Sequence, residues 1–287
     1  MRESVGKLLL VAATSSLAGI CVGLAASSAR AYHTYEERLM DGTAYSLHRR
    51  EARLGLMQLS YGILDQLQVT TYTLPWILGP IFEAVVPNVE LKSSFYDKRK
   101  LALSTSVGLL TGTISQTDDT KIRYFVVPVG VTASVRLNSD ISVHTGGIFT
   151  ATDFSGGAQA GGTDIEGAAV VNLLQLSGTF EWRVTRVTAF TLTARWIPYV
   201  SDSVLQGTVD IDENTGGTIE AQIDTDALRN AWAIIPGVVF SGARANFRLG
   251  VGYGNLFLPG IGLVVPGLRP RSGNPTPVLD FDVFVRF

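Results

Sequence analysis

From Ala52 to Phe287 the sequence alternates apolar and polar residues almost without a break. After Ala31 no uncharged apolar run reaches the roughly 18 residues that a helical span requires. An alternation of period two gives a β-strand two unlike faces. In 101–109 the leucines, Thr105 and Val107 fall on one face, with Ala102, Ser104, Ser106 and Gly108 on the other. In 125–137 every odd position is apolar, against Gly130, Thr132, Ser134 and Arg136. The pattern returns in 174–182, 190–196 and 247–253, where Arg183, Arg195 and Arg248 join the polar faces. The chain is 46% hydrophobic with a mean hydropathy of +0.25. Such apolarity without helical spans suits a closed sheet whose outer face meets lipid, because a barrel pairs every backbone group and wets one face only. The expected fold is all-β: a transmembrane, antiparallel, up-and-down β-barrel.

The first residues read as an export leader. Arg2 and Lys7 precede an apolar stretch from Leu8 to Ala26, and Ala29 and Ala31 hold the small-residue positions of a cleavage site. The expected division is a cleavable signal peptide over 1–31 and a barrel over 32–287. Cys21, the one cysteine, follows Ile20 rather than a small residue, which argues against lipoprotein processing. Three basic residues against one acid go with the leader and take the formal charge from −2 to −4, so no basic domain remains to hold nucleic acid.

At the other end Leu279, Phe281, Val283, Val285 and Phe287 alternate with Asp280, Asp282 and Arg286. This strand resembles the C-terminal signal of bacterial outer-membrane proteins. The resemblance implies that Phe281, Val283, Val285 and Phe287 are read by the barrel-insertion machinery and that the protein resides in a bacterial outer membrane.

The connections alternate in length. Short polar turns are expected near Asp65, Lys98, Ser139, Arg186 and Gly242, with longer loops over 75–87, 113–120, 153–164, about 203–228 and 257–275. Short turns on the periplasmic side and long loops outside the cell are the pattern of bacterial barrels. Counting from Ala52 gives eleven strands. A strand over 42–47, turned at His48-Arg49-Arg50, brings the expected number to about twelve, with ten and fourteen as the neighbouring even counts. The run Ser60-Tyr61-Gly62-Ile63-Leu64-Asp65-Gln66-Leu67-Gln68-Val69 resembles a hairpin frequent in proteobacterial barrels. Some of those are similar to the family named for a phenol-degradation outer-membrane component.

Charges on the polar faces are the candidate functional residues: Glu90, Lys92, Arg136, Glu181, Arg183, Arg195, Arg248, Asp280, Asp282 and Arg286. Charges inside a membrane wall must face water or one another. They either line a narrow aqueous path and set its ion preference, or pair across a filled barrel. Of the histidines His33, His48 and His144, only the last falls within an expected strand. Outer-membrane lipases carry a His-x-Ser-Asn motif, and here Gly146 and Gly147 stand where its serine and asparagine would, so no catalysis is expected. Asp210, Asp212 and Asn214 have oxygen-ligand spacing but lack the glycine and distal Glu of a calcium loop, so an acidic, solvated loop is expected and no cofactor, with divalent ions bridging lipopolysaccharide as the alternative. Two apolar stretches, 76–86 and 256–268, could meet lipid or a partner, the former as a short helix starting near Pro80.

The favoured reading is a narrow channel or transporter for small solutes in contact with outer-membrane lipid and lipopolysaccharide. The alternatives are a non-conducting structural or partner-binding barrel and, third, a membrane-lipid hydrolase.

Overall fold

The computed structural model describes residues 42–78, 86–98, 100–117, 120–160, 163–201, 203–212, 215–223, 229–242, 245–255 and 275–287. The expected leader, His33 and the apolar stretch 256–268 lie outside the described residues.

Among the described residues fourteen strands and one short helix follow in order: β1 (Ala52–Gly55), β2 (Gln58–Leu64), β3 (Leu67–Tyr72), α1 (Thr73–Leu78), β4 (Asn88–Lys98), β5 (Leu101–Thr117), β6 (Thr120–Arg136), β7 (Ile141–Ala160), β8 (Thr163–Arg183), β9 (Thr188–Val200), β10 (Ser203–Asp212), β11 (Thr215–Ile223), β12 (Trp232–Ser241), β13 (Ala245–Gly254) and β14 (Thr276–Arg286). Strands β1 to β9 pair antiparallel in sequence order, β9 pairs with β12, and β12, β13 and β14 lead back to β1. This ring is a closed antiparallel barrel of twelve strands. The β10–β11 hairpin carries the wall upward beyond the end of β9, where β10 takes over the ladder of β8 through Gln206↔Ala168.

The number twelve is reached by a different route from the one the alternation suggests. Residues 42–47 form no strand. The twelfth strand comes instead from a break in the apparently continuous run 52–64, which is a hairpin of β1 and β2 turning at Leu56 and Met57. β14 fixes that turn: the Leu56 N–H donates to the Val283 carbonyl (2.9 Å) and the Met57 N–H to Asp282 Oδ1 (3.1 Å). Gly55 permits the approach, since a Cβ there would lie 3.0 Å from both Gln58 O and Phe284 Cβ.

The long connections also differ from expectation. Segments 113–117, 153–160 and 203–212 are strand, not loop, because the hairpins β5–β6, β7–β8 and β10–β11 run on past the membrane. β7 and β8 have 20 and 21 residues, about twice the 9–11 that cross a bilayer, while β1, β2 and β3 have 4, 7 and 6. The wall is therefore tall on one side and low on the other. Over the low side lies α1, which begins before Pro80, with Pro75 tolerated in its first turn where no backbone donor is needed. The Thr73 N–H caps the β1–β2 turn through Met57 O (3.1 Å).

Outward positions carry the apolar residues. Val107, Val129, Val131, Phe180, Leu192, Val251 and Leu279 are all exposed, and Val131 reaches 61%. Near the short-turn end aromatic pairs form across strands, Trp182 with Phe190 and Phe240 with Phe247, each at 6.4 Å between ring centroids. On β9 Phe190 and Tyr199 face out nine residues apart. At about 3.3 Å per residue and a tilt near 40°, that spacing spans roughly 23 Å, the height of an outer-membrane hydrophobic band.

Candidate functional site

Inward positions of β3 to β7 near the short-turn end are small or polar: Gln68, Ser94, Ala102, Ser104, Thr132, Ser134 and His144. Small side chains on an inner wall leave room, and the chain's own N-terminal segment fills it. Residues Thr43, Ala44, Tyr45, Ser46 and Leu47 are all buried, whereas His48, Arg49 and Arg50 are exposed at the rim. This segment, the arm, lies in the lumen, bent at Thr43 and Ala44 and irregular from Tyr45 to Leu47, outside the hydrogen-bond ladder of the sheet. Ala44, Tyr45 and Leu47 pack as a cluster with Ala102.

Side chains of the wall hold the arm by its backbone. The Ala44 N–H donates to Ser134 Oγ (2.8 Å), and the Leu47 N–H to Gln68 Oε1 (3.0 Å). Lys92 Nζ donates to the Tyr45 carbonyl (2.5 Å), and the Ser94 hydroxyl donates to the Ala44 carbonyl. With its proton used there, Ser94 Oγ accepts from Ser46 Oγ at 2.6 Å. At the rim the Arg49 N–H donates to Asp65 Oδ1 (2.9 Å) and the Arg50 N–H to the Gly62 carbonyl (2.8 Å). A Cβ on Gly62 would stand 1.9 Å from His48 O, so glycine is needed for the arm to cross β2 here.

His144 belongs to this site. Its Nδ1 is 2.8 Å from Ser134 Oγ and its Nε2 is 3.1 Å from Glu181 Oε2. All three side chains are at most 2% exposed. A neutral Nε2–H imidazole satisfies the whole row: Ala44 N–H to Ser134, Ser134 O–H to Nδ1, and Nε2–H to Glu181. Tyr45 of the arm meets the His144 ring edge-on at 6.4 Å. Serine, histidine and glutamate come from the adjacent strands β6, β7 and β8, with Ser134 and His144 in direct register.

Every inward charge among the described residues that the alternation selects has a place in the wall. Asp282 meets Arg53, whose guanidinium lies over the Phe284 ring at 4.2 Å. Asp280 is shared by Arg195 (3.3 Å) and Arg248 (3.1 Å). Arg183 pairs with Asp140 (2.7 Å), and Arg286 with Glu51 (2.5 Å). Glu90 accepts from the Tyr72 hydroxyl (2.5 Å), and Arg136 is half-buried near the short-turn mouth. Arg53 and Glu51 escaped the sequence reading because the β1–β2 hairpin was hidden in one alternating run. The arm escaped it because Tyr45, Ser46 and Leu47 alternate as a strand does.

Further from the short turns two apolar clusters share the interior with the buried Thr150 and Thr152. Val171, Leu173, Ile197, Val200, Ile235 and Val278 form one buried cluster joining β8, β9, β12 and β14. Val86, Tyr124 and Val126 form another, and Phe154 packs against both. Among the described residues the lumen thus has a polar level occupied by the arm and a mainly apolar level packed by side chains. Asp210 and Asp212 lie on β10 at the tip of a hairpin rather than in a loop, and Asn214 is outside the described residues.

A closed twelve-stranded antiparallel barrel with a lipid-facing apolar exterior defines a bacterial outer-membrane β-barrel. No protein-family model matches the sequence, and no curated protein matches it. Solved structures similar to it include CdiB from Acinetobacter baumannii, at 9% identity and a TM-score of 0.32, covering 84% of this chain and 60% of that one. CdiB from Escherichia coli is similar at 10% identity and a TM-score of 0.26, covering 83% and 62%. Outer-membrane expressed OmpT of Vibrio cholerae is similar at 9% identity and a TM-score of 0.20, covering 83% and 95%. The chain spans about 60% of the length of the two CdiB structures.

Proposed function

We propose that this protein is a self-plugged outer-membrane barrel, non-conducting at rest, that serves as a structural or partner-binding element. The observation that carries the reading is the arm: Thr43–Leu47 occupy the polar level of the lumen, and the side chains around them are shielded from water. An aqueous path through the arm's level would leave Ser134, His144 and Glu181 wet, yet each is at most 2% exposed. The short-turn end, and with it the arm's seat, faces the periplasm in the orientation usual for such barrels. Lipid and lipopolysaccharide surround the outer wall, and the barrel-insertion machinery reads β14 through Phe281, Val283, Val285 and Phe287. Catalysis has no part in the reading, in which Ser134 serves to hold the Ala44 N–H of the arm.

Conductance in a planar lipid bilayer tests it. The refolded protein is expected to insert without producing current steps. Stable, salt-dependent steps from the unmodified chain would overturn the reading.

A second reading is a narrow, arm-gated passage for small solutes. The polar seat favours it, because a cavity lined by Gln68, Lys92, Ser94 and Ser134 would fill with water once the arm left. It requires that Ala44→Arg, which leaves no room for the arm against Ala102 and Ser134, opens a conductance that the parent lacks.

A further inference from the structure

The wall grips the arm mainly through main-chain atoms. Ala44 N and O, Tyr45 O and Leu47 N are each bonded by a wall side chain, and Ser46 adds a bond of its own side chain. Such a seat reads the main chain, with three side-chain conditions: a small residue where Ala44 is fully buried, an aromatic where Tyr45 meets His144, and an apolar residue where Leu47 is fully buried. The arm contributes no rung to the barrel, so it can leave without breaking a ladder. Its exposed base at His48–Arg50 sits at the mouth, where another chain could enter.

We propose that this lumenal seat is a polypeptide-binding site, occupied at rest by the arm and able to take in its place a segment of a partner protein with a small residue followed by an aromatic and, two positions on, an apolar residue. The proposal rests on the partner-binding reading above and names its ligand class. In cis the arm competes at an effective concentration in the millimolar range, so the seat opens only to a partner that binds tightly or is held near the mouth.

The test uses the full chain with a specific protease site introduced in the exposed turn 48–50. The barrel folds with the arm seated, and cleavage then turns the arm into an exchangeable ligand. The probe is a fluorescein-labelled peptide of residues 41–49, read by anisotropy. The nicked barrel is expected to bind it at least about tenfold more tightly than the uncut barrel. A peptide with Ser46→Ala should bind within about tenfold of the parent, the worth of one hydrogen bond, and one with Ala44→Arg should not bind. Lys92→Met in the nicked barrel should weaken binding about tenfold. Failure of the nicked barrel to exchange the peptide, or equal binding of the Ala44→Arg peptide, would overturn the proposal. If uncut barrels associate through each other's arms, light scattering would show dimers that dissociate on adding peptide, which supports the seat with a second copy as its partner. The outcomes separate from those of the function itself: a silent bilayer with no peptide exchange removes only the peptide site, and a conducting parent removes the reading beneath it.

Discussion

Arg53 on β1 and Asp282 on β14 form an ion pair in which both side chains are only 1% exposed. The same carboxylate accepts the Met57 N–H, so one residue neutralises a charge and closes the β1–β2 turn. Taking two ions out of water is costly, and removing one of them leaves the other stranded.

Asp282→Ala is therefore expected to destabilise the barrel by about 3–5 kcal/mol, the cost of breaking a buried pair. The double variant Arg53→Met, Asp282→Leu should regain most of that loss, short of the bond to Met57. Urea unfolding in lipid vesicles, followed by tryptophan fluorescence, measures both. A single-variant loss below 1 kcal/mol would show that the pair is not buried in the membrane-embedded protein.

The burial of Tyr45 is open to direct chemical test. The thiol introduced by Tyr45→Cys should resist a water-soluble maleimide, while that of Arg49→Cys in the exposed turn should react promptly. The native cysteine, Cys21, is replaced by serine for this purpose. Adding Gly62→Ala, which sets a methyl against His48 O, should speed labelling at position 45 about tenfold or more. Equal labelling rates at 45 and 49 in the parent would place the arm outside the lumen.

Ser134→Ala removes the acceptor for Ala44 and the donor to His144 together. Leaving buried polar groups unpaired costs about 1–3 kcal/mol. The loss should appear as faster labelling at Tyr45→Cys more than as a lower unfolding midpoint, because the ladder between β6 and β7 is backbone and stays intact. A fall in the midpoint with no change in labelling would assign Ser134 to the wall instead of the arm.

The lipid face makes a depth-dependent prediction. Val131→Arg puts a charge on the outer wall five residues from the short-turn end of β6, midway through the roughly ten residues that cross the bilayer, and should cost about 2–4 kcal/mol in vesicle unfolding. Leu137→Arg, just past the short-turn end of the same strand, should cost less than about 1 kcal/mol. Equal costs at the two positions would contradict the placement of the band.

Deleting Phe287 should lower assembly in cells more than stability in vitro, since the residue is 63% exposed and contributes little packing. Heat-modifiable mobility of the membrane fraction, compared with refolding of purified protein into detergent, separates the two effects. Unchanged assembly in cells would remove the C-terminal strand as a recognition signal.

The wall was legible because its cause is local. Lipid outside and chain inside give each strand a period of two, and β6, β9 and β14 carry it in their own residues. The β1–β2 break was not legible: Gly55-Leu56-Met57 turns only because β14 brings Val283 and Asp282 alongside to take the freed backbone donors. Residues 43–47 mislead for a related reason. Their alternation suits a strand, but the hairpin they precede already completes the ring, and side chains on β3, β4 and β6 bond their backbone instead.

The sequence by itself determined an antiparallel barrel, its lipid-facing residues and the inward charges, because these follow from the side on which each residue of a strand falls. Only the tertiary structure decided which inward charges meet, and that the lumen is filled. Those depend on how far neighbouring strands are staggered when the sheet closes, and on small residues such as Ala102 and Ser134 lying across from one another, which no single strand encodes.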